Sequence, residues 1–275
     1  MIPGFLTEPH SLIQSDSNAV LNQVDPTAIL DRRGWHTAAK QCCHEQVEVI
    51  TYQWASQSAI NLLAQTLGRL LPNIRSLSNL NLHLVEVARD IYQAWYKAVQ
   101  ECDAKVQELS DYYQELGTKG EVYVLGHSLG ARLAIKALDH LSTHTMTNLP
   151  KVSGWAPALN ADDTDWLSLN QLTNPPEILF SEYDRVLKMI YPLGQDAHLT
   201  TPIHQFLNIV TNTLKQDERK KAVGLIGPPQ ECHSLLAISL NLNDKKMSHL
   251  GYLPYADYLF EKSTYLSHLR TDQPS

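Results

Sequence analysis

The stretch Glu121-Val122-Tyr123-Val124-Leu125-Gly126-His127-Ser128-Leu129-Gly130 decides the fold of this chain. Residues 122–125 are β-branched, aromatic or aliphatic, which predicts a short buried strand. Residues 129–141 carry apolar side chains at helical spacing, which predicts a helix immediately afterwards. The Gly126-x-Ser128-x-Gly130 pattern therefore lies on a strand-to-helix turn, and in that setting it indicates a nucleophilic serine.

The residue types in this turn fit the chemistry of a nucleophile. Ser128 must sit on a sharp, strained turn so that its hydroxyl group projects beyond the sheet. Gly126 and Gly130 remove side chains that would collide with the neighbouring strand and helix. Negative charge that develops in the reaction would lie at the helix N-terminus, so we predict that the backbone N–H of Leu129 is the first oxyanion-hole donor. His127 is interpreted as a packing residue, because its side chain should point away from Ser128 across the turn.

The rest of the chain alternates between strand and helix patterns. Strands are also predicted over residues 2–6, 47–54, 152–155, 178–181 and 235–240. Further helices are predicted over residues 31–44, 79–116, 203–214 and 254–269. Strands separated by helices indicate parallel pairing. We therefore predict one α/β domain over residues 1–275, with a mostly parallel central sheet flanked by helices.

Two long connections exceed what the sheet needs. Residues 57–75 are apolar with few charges, and residues 185–232 form a long stretch with a helical pattern of its own. Their apolar side chains must be buried against something, and the free apolar surface in such a sheet lies above the nucleophile. We expect both segments to be helical cap insertions over the site.

Composition excludes several classes of function. The net charge is −7 and the pI about 5.9, which argues against a nucleic-acid partner. The four cysteines form no C-x-x-C pair, so neither a zinc site nor a disulfide framework is expected. The N-terminus lacks the pattern of a signal peptide, and no apolar stretch reaches the length of a membrane span. We expect a cytoplasmic protein.

Five segments occur in the order expected of one known family. They are Gly4-Phe5-Leu6, Tyr52-Gln53-Trp54-Ala55-Ser56, Leu125-Gly126-His127-Ser128-Leu129-Gly130-Ala131-Arg132, Asp184-Arg185-Val186-Leu187 and Ser248-His249-Leu250-Gly251-Tyr252. In these segments the chain resembles the α/β-hydrolase superfamily and, more narrowly, the hydrolase family that includes the transmembrane and coiled-coil domain-containing proteins. Compared with that family, we expect this chain to lack the membrane-spanning helices and the upstream helical region, and to begin at the third strand of the fold.

The catalytic base of such a fold is a histidine that follows the acid along the chain. The histidines well beyond Ser128 are His198, His204, His233, His249 and His268. We favour His249, which follows the predicted last strand after a polar loop, and the resemblance places the base there too. His233 precedes that strand and His268 lies on the predicted terminal helix, so neither is placed to reach the serine.

Asp184 is the favoured acid. It follows the predicted strand 178–181, whose carboxyl end is expected beside that of the strand before Ser128. The rival acids are Asp162, Asp163 and Asp165 after the strand 152–155, and Glu182. The second oxyanion donor should come from the loop after the first strand, so we predict the backbone N–H of Phe5 or Leu6.

These residues predict a serine hydrolase that cleaves carboxylic esters, like an esterase or lipase. Attack by Ser128 would give an acyl-enzyme, and no metal or organic cofactor is needed. The expected partner is a small-molecule or lipid-like ester; membrane contact is not predicted, and the sequence leaves the oligomeric state open. A thioesterase or amidase would use the same triad, and an inactive binding module with this fold is the alternative from another class.

Overall fold

The computed structural model describes residues 34–52, 82–143, 148–189, 191, 221–240 and 247–270. The α-helices are α1 (Gly34–Cys42), α2 (Leu82–Ala104), α3 (Val106–Gly117), α4 (Leu129–Ser142), α5 (Trp166–Asn170), α6 (Arg185–Met189), α7 (Val223–Ile226) and α8 (Ala256–Lys262). The strands are β1 (Tyr123–His127), β2 (Lys151–Trp155), β3 (Glu177–Phe180) and β4 (Leu236–Ser239). Short 3₁₀ helices span His249–Gly251 and Ser267–Leu269.

The strands of the described residues form one parallel sheet in the order β1-β2-β3-β4. Parallel neighbours need crossover connections, and α4 supplies the one between β1 and β2. This helix packs against both of those strands on one side and against α2 and α3 on the other, which explains why most of its side chains are buried. The predicted strands at 122–125, 152–155, 178–181 and 235–240 are confirmed to within two residues, and so is the predicted α/β class.

The prediction of a single long helix over residues 79–116 is wrong. The helix is interrupted at Lys105, which separates α2 from α3. Both halves bond to α4. The Cys102 thiol donates to the carbonyl of Leu129 at 3.4 Å, and the Ser110 hydroxyl donates to the carbonyl of Ala137 at 3.1 Å. A straight helix over residues 79–116 would extend about 57 Å, so the interruption at Lys105 keeps both halves on the shorter α4.

The predicted strand at 47–54 is also wrong over its described residues, 47–52, which join none of the four strands. Val47, Val49 and Tyr52 are partly buried against the core, and the Tyr52 hydroxyl donates to Glu108 of α3 at 2.7 Å. The β-branched and aromatic residues of this segment therefore pack on the core outside the sheet.

The first and last α-helices of the described residues, α1 and α8, are shorter than predicted. The helix expected over 31–44 spans Gly34–Cys42, and residues 31–33 lie outside the described part. The helix expected over 254–269 begins at Ala256 and ends at Lys262, because Ser263 is extended and its hydroxyl donates to the buried carboxylate of Glu177.

Several predicted segments lie outside the described residues, namely the strand 2–6, the helix 203–214, the cap segment 57–75 and most of the cap segment 185–232. The described end of the second cap segment includes α7, whose Gly224 N–H donates to the carbonyl of Pro157 at 3.1 Å. Among the helices of the described residues, none combines the length and the apolar character needed to cross a membrane.

Candidate active site

Ser128 lies between β1 and α4 in a strained backbone conformation. Its φ is 56° and its ψ is −120°, a region that residues with a side chain rarely occupy. Its N–H donates to the carbonyl of Trp155 at 2.9 Å, and its own carbonyl accepts from the N–H groups of Arg132 and Ala158 at 3.0 and 3.2 Å. These bonds to β2, to α4 and to the loop after β2 hold the strained turn in place.

Gly126 allows β1 and α4 to approach each other at this turn. A Cβ atom on Gly126 would lie 2.7 Å from the Cα atom of Ala131 and 2.7 Å from the carbonyl oxygen of Gly130. Both contacts are with backbone, which cannot move aside as a flexible side chain could. The role that the sequence analysis assigns to Gly126 is thus confirmed.

The structure brings together the three residues predicted as nucleophile, acid and base. His249 Nε2 lies 2.9 Å from Ser128 Oγ, and His249 Nδ1 lies 2.7 Å from Asp184 Oδ2. All three residues are buried, with Ser128 and Asp184 fully inaccessible. With the ring proton on Nδ1, that nitrogen donates to the Asp184 carboxylate and Nε2 accepts from the Ser128 hydroxyl, as in a serine-histidine-aspartate triad.

Asp184 is fixed from both sides of its carboxylate. One oxygen faces His249, and the other, Oδ1, accepts from the backbone N–H of Leu187 at 3.0 Å in the first turn of α6. The expectation that β3 lies beside β1 is wrong, since β2 separates them. Asp184 lies just beyond the carboxyl end of β3, after the turn at residues 182 and 183.

The rival acids have other surroundings. Asp163 accepts two hydrogen bonds from the guanidinium of Arg132, at 2.7 and 3.1 Å. Asp165 caps α5 and accepts from the N–H and the hydroxyl of Ser168 at 3.0 and 2.7 Å. Asp162 lies in the same turn as Asp163, and Glu182 is exposed. Of the candidate bases, His198 and His204 lie outside the described residues, His233 is exposed ahead of β4, and His268 lies in the last 3₁₀ helix.

Of the predicted oxyanion-hole donors, Leu129 lies within the described residues. Leu129 is the first residue of α4, so its N–H has no carbonyl partner within the helix and lies directly beside the Ser128 turn. The second predicted donors, Phe5 and Leu6, lie outside the described residues. In the described part of the chain, no group of three histidine, cysteine or acidic side chains is arranged to hold a metal ion.

A network of charged side chains is centred on the buried Arg132, one turn along α4 from Ser128, and the sequence pattern does not predict it. Arg132 of α4 donates to Asp103 of α2 with two bonds of 2.9 Å, in addition to its bonds to Asp163. The Tyr191 hydroxyl also donates to Asp163, at 3.0 Å. Burial alone would lower the pKa of Arg132, but the two carboxylates raise it above its ordinary value. The network therefore ties the loop after β2 to α2 and α4 through one fully charged side chain.

Replacing this arginine should destabilise the fold strongly. In Arg132→Met, we expect the free energy of unfolding to fall by about 3–5 kcal/mol, because the Asp163 carboxylate would stay largely buried without its cation. Denaturant titration measures this change. Lys136→Met is the matched control: Lys136 also pairs with Asp103, at 3.0 Å, but is more exposed, so about 0–1 kcal/mol is expected. If both variants lost the same free energy of unfolding, the expectation that Arg132 stabilises the fold more than Lys136 would be wrong.

Comparison with known proteins gives one family match. Residues 35–162 match the family profile described as Lipase (class 3). The matched range includes the Ser128 turn and ends before Asp184 and His249. Neither the curated proteins nor the solved structures give a match to this chain. The profile match, with the parallel sheet and its flanking helices, gives the chain an α/β-hydrolase fold and supports a lipase-like member of that superfamily.

Proposed function

We propose that this chain is a serine hydrolase that cleaves carboxylic esters through an acyl-enzyme on Ser128. The observation that carries the proposal is the continuous hydrogen-bonded line from Ser128 Oγ through His249 to Asp184, with distances of 2.9 and 2.7 Å in a buried site. The match to class 3 lipases supports the same class of reaction. Within the superfamily, we favour the transmembrane and coiled-coil domain-containing hydrolases as relatives.

The first half-reaction acylates the serine. As Ser128 Oγ attacks the carbonyl carbon of the ester, its proton passes to His249 Nε2, and Asp184 stabilises the imidazolium that forms. The carbonyl oxygen becomes an oxyanion, which the N–H of Leu129 and the N-terminal end of α4 stabilise. Collapse of the tetrahedral intermediate breaks the ester bond, and the leaving alkoxide takes the proton from His249 to depart as the alcohol.

The second half-reaction restores the enzyme. A water molecule gives a proton to His249 Nε2 while its oxygen attacks the acyl carbon, and a second oxyanion forms in the same position. Collapse breaks the bond to Ser128 Oγ, which regains its proton from the histidine, and the carboxylic acid leaves. No step requires a group beyond these side chains, backbone amides and water.

An apolar acyl group fits this site better than a small polar one. The triad is buried, so the reacting carbonyl must enter a region from which water is largely excluded. The cap segments lie outside the described residues, and we propose from their sequence that they line such a pocket with apolar residues, including Leu62, Leu63, Leu67, Phe206 and Ile209. The lipase match also favours lipid-like esters.

Chain-length preference tests the substrate class. We expect kcat/KM for p-nitrophenyl octanoate to exceed that for p-nitrophenyl acetate at least tenfold, because each buried methylene adds about 0.8 kcal/mol to binding. Esters of intermediate length should fall between them. A clear preference for acetate would contradict the apolar pocket. Octanoyl thioester and anilide, compared under the same conditions, show whether ester cleavage predominates over thioester or amide cleavage.

A further inference from the structure

The carbonyl of Ser128 and the N–H of Leu129 belong to one peptide group. A trans peptide is planar and its C=O and N–H point in opposite directions, so a bond that fixes one also fixes the other. The N–H of Leu129 is the proposed oxyanion donor. On the other side of the same peptide group, the Ser128 carbonyl accepts from the N–H groups of Arg132 and Ala158, at 3.0 and 3.2 Å. The direction of the oxyanion donor therefore depends on these two partners.

The two bonds to the Ser128 carbonyl come from different parts of the fold. The bond from the Arg132 N–H is the ordinary bond of the first turn of α4, and a helix end held only by its own bonds frays easily. The bond from Ala158 comes from the loop after β2, so it holds the peptide group from outside the helix. Each bond also polarises the peptide group, which makes its N–H a stronger donor.

Ala158 lies in a strained loop that is held on two sides. Ala156 has a φ of 48°, which is rare for a residue with a side chain. The carbonyls of Pro157 and Leu159 accept from N–H groups of α7, at 3.1 and 2.8 Å. Ala158, between them, bonds to the other side. Its N–H donates to the nucleophile turn, and its carbonyl accepts from Nη1 of the Arg132 side chain at 3.4 Å.

Arg132 is buried, and two carboxylates fix its guanidinium group. Asp103 accepts two bonds of 2.9 Å, and Asp163 accepts bonds of 2.7 and 3.1 Å. Asp163 also accepts from the N–H of Asn160 at 2.8 Å, two residues beyond Ala158 in the same loop. The guanidinium therefore holds the loop both directly and through Asp163, and its planar shape leaves it little freedom to move.

We propose that Arg132 is a positioning residue for the oxyanion hole. By binding the carbonyl of Ala158, its side chain holds the N–H of that residue against the nucleophile turn, and this contact orients the N–H of Leu129. The inference rests on the proposed function, since the direction of that N–H matters only if an oxyanion forms beside Ser128. Two carboxylates and Lys136 balance the charge of Arg132, so its effect comes from geometry and not from a net positive field.

Arg132→Lys separates this role from the stability of the fold. Lysine keeps a cation for Asp103 and Asp163, but its single ammonium group cannot reproduce the planar fork that also holds Ala158. We expect kcat per fluorophosphonate-reactive site to fall about tenfold at unchanged KM. This loss is smaller than the factor of about 10²–10³ that follows removal of an oxyanion donor, because the N–H of Leu129 remains and only its direction changes.

A transition-state analogue measures the oxyanion hole directly. The serine oxygen adds to the carbonyl carbon of an alkyl trifluoromethyl ketone, its proton passes to His249, and the carbonyl oxygen becomes an oxyanion. The inhibition constant should therefore rise by the same factor as kcat/KM falls. The acid limb of kcat/KM should stay in place, because His249 keeps both of its partners. A purely structural loss would lower the reactive fraction and leave the constants per site unchanged.

Two control variants change charged groups outside this loop. Lys136→Met removes the other cation that pairs with Asp103, at 3.0 Å, and should keep the wild-type kcat and inhibition constant. Glu177→Gln changes a buried carboxylate at the start of β3, away from the carboxyl ends of the strands. This carboxylate accepts from the Ser153 hydroxyl at 2.6 Å and from the N–H of Thr264 at 2.5 Å, so the variant should lose stability and keep both constants per reactive site.

The possible outcomes are distinct. If Arg132→Lys does not fold, Ala158→Pro carries the same expectation, because proline lacks the N–H that donates to Ser128. A wild-type protein that does not react with a fluorophosphonate overturns the proposed function. A reactive wild type whose Arg132→Lys or Ala158→Pro variant keeps the wild-type kcat per site overturns this inference alone. A fall in kcat with an unchanged inhibition constant also overturns it, since the oxyanion hole would then be intact.

Discussion

Replacement of Ser128 by alanine should lower kcat at least about 10³-fold and leave the free energy of unfolding nearly unchanged. The hydroxyl is the only part of the side chain that the proposed reaction uses, and its described partner is His249. Alanine keeps the Cβ atom, so it adopts the φ of 56° at about the same cost as serine. The backbone bonds that hold the turn, to Trp155, Arg132 and Ala158, do not involve the side chain.

Two further variants make this result specific. Ser142→Ala removes a hydroxyl at the other end of α4, where it donates to the carbonyl of Asp139 at 2.7 Å, and should keep full activity. Ser128→Gly should be as inactive as Ser128→Ala but more stable, by about 1 kcal/mol, because glycine relieves the strain of positive φ. Labelling with a fluorophosphonate should mark the wild type and Ser142→Ala only. Turnover by a homogeneous Ser128→Ala preparation would exclude this serine as nucleophile.

The local part of the site could be predicted from the sequence because neighbouring residues determine it. The apolar run 122–125, the glycines around Ser128 and the periodic apolar residues of α4 each specify backbone structure within a few residues. The choice of His249 and Asp184 used the order of elements, the rule that functional side chains follow the carboxyl ends of parallel strands, and the family resemblance in the segments that contain them. In the structure, His249 lies 2.7 Å from Asp184 and 2.9 Å from Ser128.

Features that depend on residues far apart in the chain could not be predicted from sequence patterns. Arg132, Asp103 and Asp163 lie about thirty residues apart in the chain, and each alone has the pattern of an ordinary surface charge. The position of β2 between β1 and β3 depends on strand pairing, which periodicity does not specify. Residues 47–52 have the β-branched and aromatic composition of a strand but pack on the core outside the sheet, so composition alone does not distinguish the two cases.

Replacement of Asp184 by asparagine should lower kcat by about 10³–10⁴-fold with little effect on the fold. The orientation of the amide follows from the structure. The N–H of Leu187, 3.0 Å from Oδ1, requires an acceptor, so the amide oxygen would take that position and the NH₂ group would face His249. Nδ1 would then have to accept a hydrogen bond, and the ring proton would move to Nε2. With a proton on Nε2, His249 could not take the proton of Ser128.

Asparagine at the rival acids provides the controls for that result. Asp162→Asn should keep activity, and Asp163→Asn should mainly reduce stability, because Asp163 pairs with Arg132 and not with a histidine. Activity is best expressed per fluorophosphonate-reactive site, so that loss of folded protein is not counted as loss of turnover. Asp184→Asn itself should label slowly, since labelling also needs the histidine to accept the proton of Ser128. Turnover per reactive site could instead fall more in Asp162→Asn or Asp163→Asn than in Asp184→Asn. The catalytic acid would then lie in the loop after β2, and Ser128 and His249 would keep their proposed roles.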